Sequence, residues 1–183
     1  LVWVAGLLCA ATSAAAPAPA HSPPETLRET GLYLPGTGLV VDPSHLAFSP
    51  QYPLWTDGAT KRRWISLPPN TSIDASRPNA WEFPVGTRLW KEFSFGRAVE
   101  TRYIERLADG QWLYATYIWN ETGTNATLAP ADGVRGLLVE GAPNVRHNVP
   151  GEFDCRACHD GAAVPVLGFS ALQLSPDRDP LAP

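Results

Sequence analysis

Methionine is absent from the 183 residues, and cysteine occurs only three times, at positions 9, 155 and 158. Without methionine the chain has no initiator, so residue 1 reads as other than the natural start, and no thioether is available to a metal from within the chain. Charge is also sparse: charged residues make up 17%, with a net charge of -4, against roughly 25% charged in an average domain. No basic surplus exists to hold nucleic acid or an anionic membrane surface. A helical bundle is excluded as well, unless one stretch is helical. The 19 prolines leave only one long uninterrupted stretch, between Pro84 and Pro130, which reads as strand, and an interior proline costs a helix about 3 kcal/mol. What the chain does have is 44% hydrophobic residues, enough to bury a core, so it is not disordered. Its length points to one domain, with at most an appendage.

The first 20 residues, LVWVAGLLCAATSAAAPAPA, carry no charge, open on a short apolar run and end in small residues with several A-x-A options. This is the pattern of a secretory signal peptide that lacks its basic start. It implies a periplasmic or otherwise exported bacterial protein. The alternative is a transmembrane anchor, for which about 20 apolar residues are needed, and only the first ten or so are strongly apolar. Cleavage would remove Cys9 and leave Cys155 and Cys158 alone. Residues 21–50 mix proline and glycine with short apolar groups and read as a proline-rich leader lying along the surface. Residues 51–149 form the body, and 150–183 a C-terminal segment.

The body carries strand periodicity. In KRRWISL, Lys61, Arg63 and Ile65 fall on one face and Arg62, Trp64 and Ser66 on the other. WEFPVGTRLWKEFSF is rich in aromatic residues, with Pro84 and Gly86 marking a break. AVETRYIERL and QWLYATYIW flank Ala108, Asp109 and Gly110, and Asp-Gly between two alternating runs signals a hairpin. A further strand is expected at 134–140. The expected fold is mainly β, an antiparallel β-sandwich or jelly-roll-like domain, with helix confined to a short C-terminal segment around Cys155 to His159 and a second turn at Ser170 to Leu174.

The sharpest motif is VPGEFDCRACHDG, in which Cys155, Arg156, Ala157, Cys158 and His159 spell C-x-x-C-H, the c-type haem attachment pattern. Thiols at i and i+3 of a helical turn point the same way and can add across the two porphyrin vinyl groups. The next residue, His159, is then carried to the iron as the proximal ligand. Asp154 is placed to cap the turn. Three other readings remain open: a thioredoxin-like redox pair, which needs a βαβ context; a structural disulfide, strained across so short a loop; and zinc bound by Cys155, Cys158 and one or both of His147 and His159.

Several blocks in order, YPLWTDGATKRRWISLPP, WEFPVGTRLWKEF, VETRYIER, WLYATYIWNETGT, then VPGEFDCRACHDG and VLGFSALQLS, resemble a family of bacterial exported c-type cytochromes, often described as dihaem. Members of this family tend to occur with quinoprotein sugar-dehydrogenase-like proteins. The likeness runs from about Tyr52 to Leu174. It implies haem c bound through Cys155 and Cys158, His159 as proximal ligand, single-electron transfer as the activity, and a redox partner such as a quinoprotein dehydrogenase. It also implies a longer natural chain with a second C-x-x-C-H downstream.

For the sixth iron position the candidates are His147, eight residues before Cys155, then His45, then solvent or a group outside this sequence. The rival readings are a haem enzyme with an open sixth site, peroxidase-like, and a carbohydrate-binding β module with a structural cysteine pair. The latter would use Trp55, Trp64, Trp81, Trp90, Trp112 and Trp119 as stacking platforms. Lys61, Arg62 and Arg63 read as a solvated strand face, or else as groups that dock an acidic redox partner or touch a haem propionate. Asp57, Glu82, Glu92 and Glu105 show no pairing that would suit hydrolysis. WNETGTNAT reads as a polar turn, with calcium binding through Asn120, Glu121 and Asn125 as the lesser alternative.

Overall fold

A computed structural model describes residues 21–54, 56–139 and 142–179. The expected signal segment, with Cys9, lies outside these residues, as does Trp55. At the centre is a six-stranded antiparallel sheet in sequential order: β1 (Leu46–Ala47), β2 (Thr60–Ser66), β3 (Arg88–Ser94), β4 (Ala98–Arg106), β5 (Trp112–Trp119) and β6 (Ala126–Leu128). A second sheet pairs β7 (Val134–Val139) with β8 (Ala142–Val149), and the only α-helix among the described residues, α1 (Glu152–His159), follows it. The chain is mainly β, as its alternation predicts. The large sheet is a meander without the crossovers of a jelly roll, and the second is a two-stranded ribbon, so the described residues do not form a sandwich of two full sheets.

The β4–β5 hairpin forms where Asp-Gly predicts it. Leu107 N–H donates to the Gln111 carbonyl at 2.8 Å, the Asp109 carboxylate accepts the Gln111 N–H at 2.9 Å, and Gly110 takes the left-handed conformation (φ 82°) that closes a three-residue loop. Residues Trp81 to Phe83 do not extend a strand; Glu82 makes an isolated bridge with Asp74, and regular pairing starts only after Pro84 and Gly86.

Register then decides which side chains share a face. Arg62 and Trp64, Trp90 and Glu92, Thr101 and Tyr103, and Ala115 and Tyr117 face one way. The opposite face carries Arg63 and Ile65, Leu89 and Lys91, Arg102 and Ile104, and Tyr114 and Thr116. The first face is sealed by the leader between Leu27 and Val41, which does more than lie along the surface. Leu27, Thr30 and Leu32 are buried beneath a 3-10 turn at Leu27–Thr30, and Leu27 and Leu32 pack with Trp64, Trp90, Tyr103 and Tyr117. The apolar residues of the leader explain the difference, because a sheet face this aromatic needs cover. The second face is covered only in part, by Val166 and Phe169 of the C-terminal segment with Phe48, Phe83 and Trp81. The expected helical turn at Ser170 to Leu174 is a plain turn with a single bond from Leu174 N–H to the Ser170 carbonyl at 3.1 Å.

Candidate functional site

The partly covered face leaves a pocket of about 410 Å³ over β2 to β5. Helix α1 forms one wall with Cys155, Cys158 and His159. Leu89 and Ile104 provide apolar floor, and Pro50, Leu54, Val166 and Leu167 line the far side. A short helix is marginal on its own, so α1 depends on what holds its ends. The Asp154 carboxylate accepts the Gly151 N–H at 3.0 Å and two bonds from Arg135 at 2.7 and 2.8 Å, so it caps α1 from the third helical position. Arg135 beside it, and then the Gly151 N–H, hold its carboxyl below the usual carboxylate range. Arg156 bonds Glu152 at 2.9 Å and Asp160 at 3.2 Å, one turn away on either side, while its guanidinium lies over the Tyr114 ring. Tyr114 in turn donates to Asp160 at 3.0 Å, which fastens the helix end to β5. At the helix start, Gly151 has no room for a side chain: an added Cβ would meet the Ala131 carbonyl oxygen at 2.1 Å.

Cys155 and Cys158 are free thiols, the first buried and the second exposed. Burial pushes the Cys155 thiol up, so it stays protonated until a reaction takes the proton. His159 is fixed by its ring nitrogen Nδ1 against the Pro165 carbonyl. A carbonyl only accepts, so Nδ1 carries the proton and Nε2 presents its lone pair. Burial lowers the pKa of His159, with the charges of Lys91 and Arg102 acting the same way against the Pro165 bond. The ring is therefore held neutral, as ligation requires.

Across the floor runs a row of cations. Arg63 on β2 lies opposite Lys91 on β3, Lys91 opposite Arg102 on β4, and Arg102 opposite Thr116 on β5. Arg63, Lys91 and Arg102 all line the pocket. Desolvation, with Arg63 and Arg102 next, pushes Lys91 down to about 7. Arg102 bonds Glu100 at 2.6 and 2.8 Å. Of the basic run at 61–63, only Arg63 enters the pocket; Arg62 pairs with Glu92 at 2.7 Å on the opposite face.

His147 is not in the pocket. It is wholly buried on β8, 3.3 Å from Glu100 and against the rings of Phe93 and Phe95. His45 lies on the sealed face, stacked on Trp90 at 4.8 Å and bonded to the Gly31 carbonyl at 2.9 Å. The strand register puts His45 on the face away from the pocket, and β8 carries His147 to Glu100 and Phe93, neither of which lines it, which spacing in sequence does not reveal. No group of three or more His, Cys, Asp or Glu side chains converges among the described residues, so the zinc alternative has no cage there. Trp64, Trp90 and Trp119 are buried, and Trp81 and Trp112 pack into the second core rather than forming an exposed platform. The carboxylates go to separate partners: Glu82 to Arg77, Glu92 to Arg62, Glu105 to the Tyr103 hydroxyl at 2.7 Å. Asn120 accepts the N–H groups of Thr124 and Asn125 at 3.0 and 3.3 Å, a polar turn.

Lys91, Arg102, Tyr114 and Pro165 escape a sequence reading. A signal for the first two exists: each is a charge at a strand position that alternates with aromatic core residues. Two segments distant in sequence close the pocket rim, Tyr52 N–H donating to the Gln173 side chain at 2.8 Å and Gln173 donating back to the Tyr52 carbonyl at 3.2 Å. Comparison with family models, curated proteins and solved structures finds no match to this chain.

Proposed function

We propose that the chain is an exported c-type cytochrome that holds one haem covalently through Cys155 and Cys158 and carries single electrons, serving a dehydrogenase. The observation that carries this reading is the meeting of C-x-x-C-H with a largely apolar pocket of about 410 Å³, within the size range of cofactor sites. Cys155, Cys158 and His159 border one cavity, and the Nδ1 bond of His159 leaves Nε2 free for iron. A haem iron takes four ligands from the porphyrin, so it needs one imidazole and no cage of side chains. When bound, haem c supplies an iron that cycles between Fe(III) and Fe(II). The protein's part is to orient the imidazole, shield the ring with Leu89, Ile104 and Val166, and leave the rim beside exposed Leu54 and Leu167 open to a redox partner. Among the described residues no helix is long and apolar enough to cross a membrane. The charge-free opening of the chain supports export, and the resemblance to exported dihaem cytochromes supports a quinoprotein dehydrogenase as partner.

The test is a pyridine haemochrome spectrum of protein matured with c-type haem machinery. One haem per chain should survive acid-acetone extraction, and Cys155→Ala with Cys158→Ala should release it. Zinc without haem in the wild type overturns the reading. The placement of His147 and His45 away from the pocket favours one variant of it, a haem enzyme with an open sixth position. A high-spin ferric spectrum that responds to cyanide or peroxide selects that variant, and a low-spin unreactive one selects the carrier.

A further inference from the structure

Two of the three cations on the pocket floor form no ion pair among the described residues. Arg63 is 8% exposed, and its guanidinium has no hydrogen-bond or ion-pair partner among the described residues. Lys91 likewise makes no hydrogen bond or ion pair among them, although the Glu100 charge acts on it; its ammonium lies 4.9 Å from the centre of the Phe93 ring. Arg102 is different, since Glu100 neutralises it. Like charges directly opposite on a sheet are destabilising, and a buried charge without a partner costs more. A floor with two cations side by side and no ion pair to either is half of a site whose other half is anionic.

The direction of the row says which anion fits. It begins under α1, where Cys155 lies beside Thr116 of β5, and continues through Arg102 and Lys91 to Arg63. Three inter-strand steps of about 4.8 Å make roughly 14 Å from β5 to β2. A porphyrin bears its vinyl groups on one edge and its two propionates on the opposite edge. With the vinyl edge at the cysteines of α1, the propionate edge comes to the far end of the row, where the two free cations stand. Resting on the haem reading above, we propose that Arg63 and Lys91 form a carboxylate clamp for the two propionates, while the neutralised Arg102 lies beneath the ring.

The probe is holoprotein carrying haem labelled with carbon-13 at the propionate carboxyls, titrated by NMR. An opposite charge within about 4–6 Å lowers a carboxyl pKa by about 1–3 units, so Arg63→Met with Lys91→Met should raise the propionate values by that amount, and Arg63→Lys should restore part of the difference. An unchanged titration in protein that has attached its haem overturns the clamp and leaves the haem reading intact. Loss of a low-spin signal in Lys91→Met alone would place the amine on iron and overturn its assignment to a propionate. The same cations would also accept a free dicarboxylate. In the haem-free Cys155→Ala, Cys158→Ala chain, glutarate should therefore raise the melting temperature only while Arg63 and Lys91 are present. If wild-type protein never attaches haem yet shows this glutarate effect, the propionate assignment falls and the site belongs to a free carboxylate ligand.

Discussion

On one face of the six-stranded sheet Trp90, Tyr103 and Tyr117 are almost inaccessible, and their polar atoms are spoken for. Trp90 Nε1 donates to Thr30 at 2.8 Å, Tyr103 to Glu105 at 2.7 Å and Tyr117 to the Pro24 carbonyl at 2.9 Å. On the other face the same strands turn Arg63, Lys91 and Arg102 toward a pocket. The two faces share backbone, twist and register, so the difference lies in the alternate residues alone. Buried polar groups in a stable interior are paired; where a native sheet leaves two cations unpaired, stability is being traded for a ligand. The first face holds the fold, and the second holds a place for something else.

The contrast is tested most severely on the filled face. Trp90→Ala removes a buried ring and its hydrogen bond to the Thr30 hydroxyl, and should cost about 3–5 kcal/mol in urea denaturation. A loss below about 1 kcal/mol, well under the range for a buried aromatic, would mean that the leader does not seal this face.

At the junction with the pocket, Gly151→Ala forces the start of α1 off the Ala131 carbonyl and should cost about 1–3 kcal/mol. The same variant should lower haem incorporation, measured by haemochrome yield per folded chain, more than Trp90→Ala does in its surviving folded fraction.

On the open face the effect is a slope. In haem-free protein the pKa of Lys91 is depressed to about 7, against about 10.4 in an unfolded chain. Between those values the unfolded state binds more protons, so stability should rise as pH increases from about 7 to about 10. Lys91→Met should flatten this rise in urea midpoints. An identical slope in both proteins would remove Lys91 as its source.

The smallest effect expected is at Asp154, which is held below its usual range by Arg135 and the Gly151 N–H. A depressed carboxyl contributes stability above its unfolded value and loses it as pH falls through the folded one. Wild type should therefore exceed Asp154→Asn in stability at about pH 6, and the two should converge as pH drops below about 4.

Much of this molecule is legible in its local sequence. The hairpin at Asp109-Gly110, the alternation on β2, β4 and β5, and the helical turn at Cys155 to His159 each depend on neighbours within a few residues, and local chemistry suffices for them. His147 shows the limit. Eight positions from Cys155, with a Pro-Gly turn between, it reads as one candidate for a sixth ligand, and β8 carries it to Glu100 and Phe93.

The β4–β5 hairpin, the strand alternation and the C-x-x-C-H motif follow from the order of residues alone, because hydrogen-bonded turns and side-chain periodicity are properties of short stretches. Folding in three dimensions adds the rest: Arg63, Lys91 and Arg102 form one row, Pro165 fixes the tautomer of His159, and residues 27–33 fill one face while the other keeps its pocket. Those facts depend on register between strands and on segments over 100 residues apart, such as Tyr52 and Gln173. A one-residue slip in register would send every one of those cations to the opposite face, and that register is set by packing of the whole sheet.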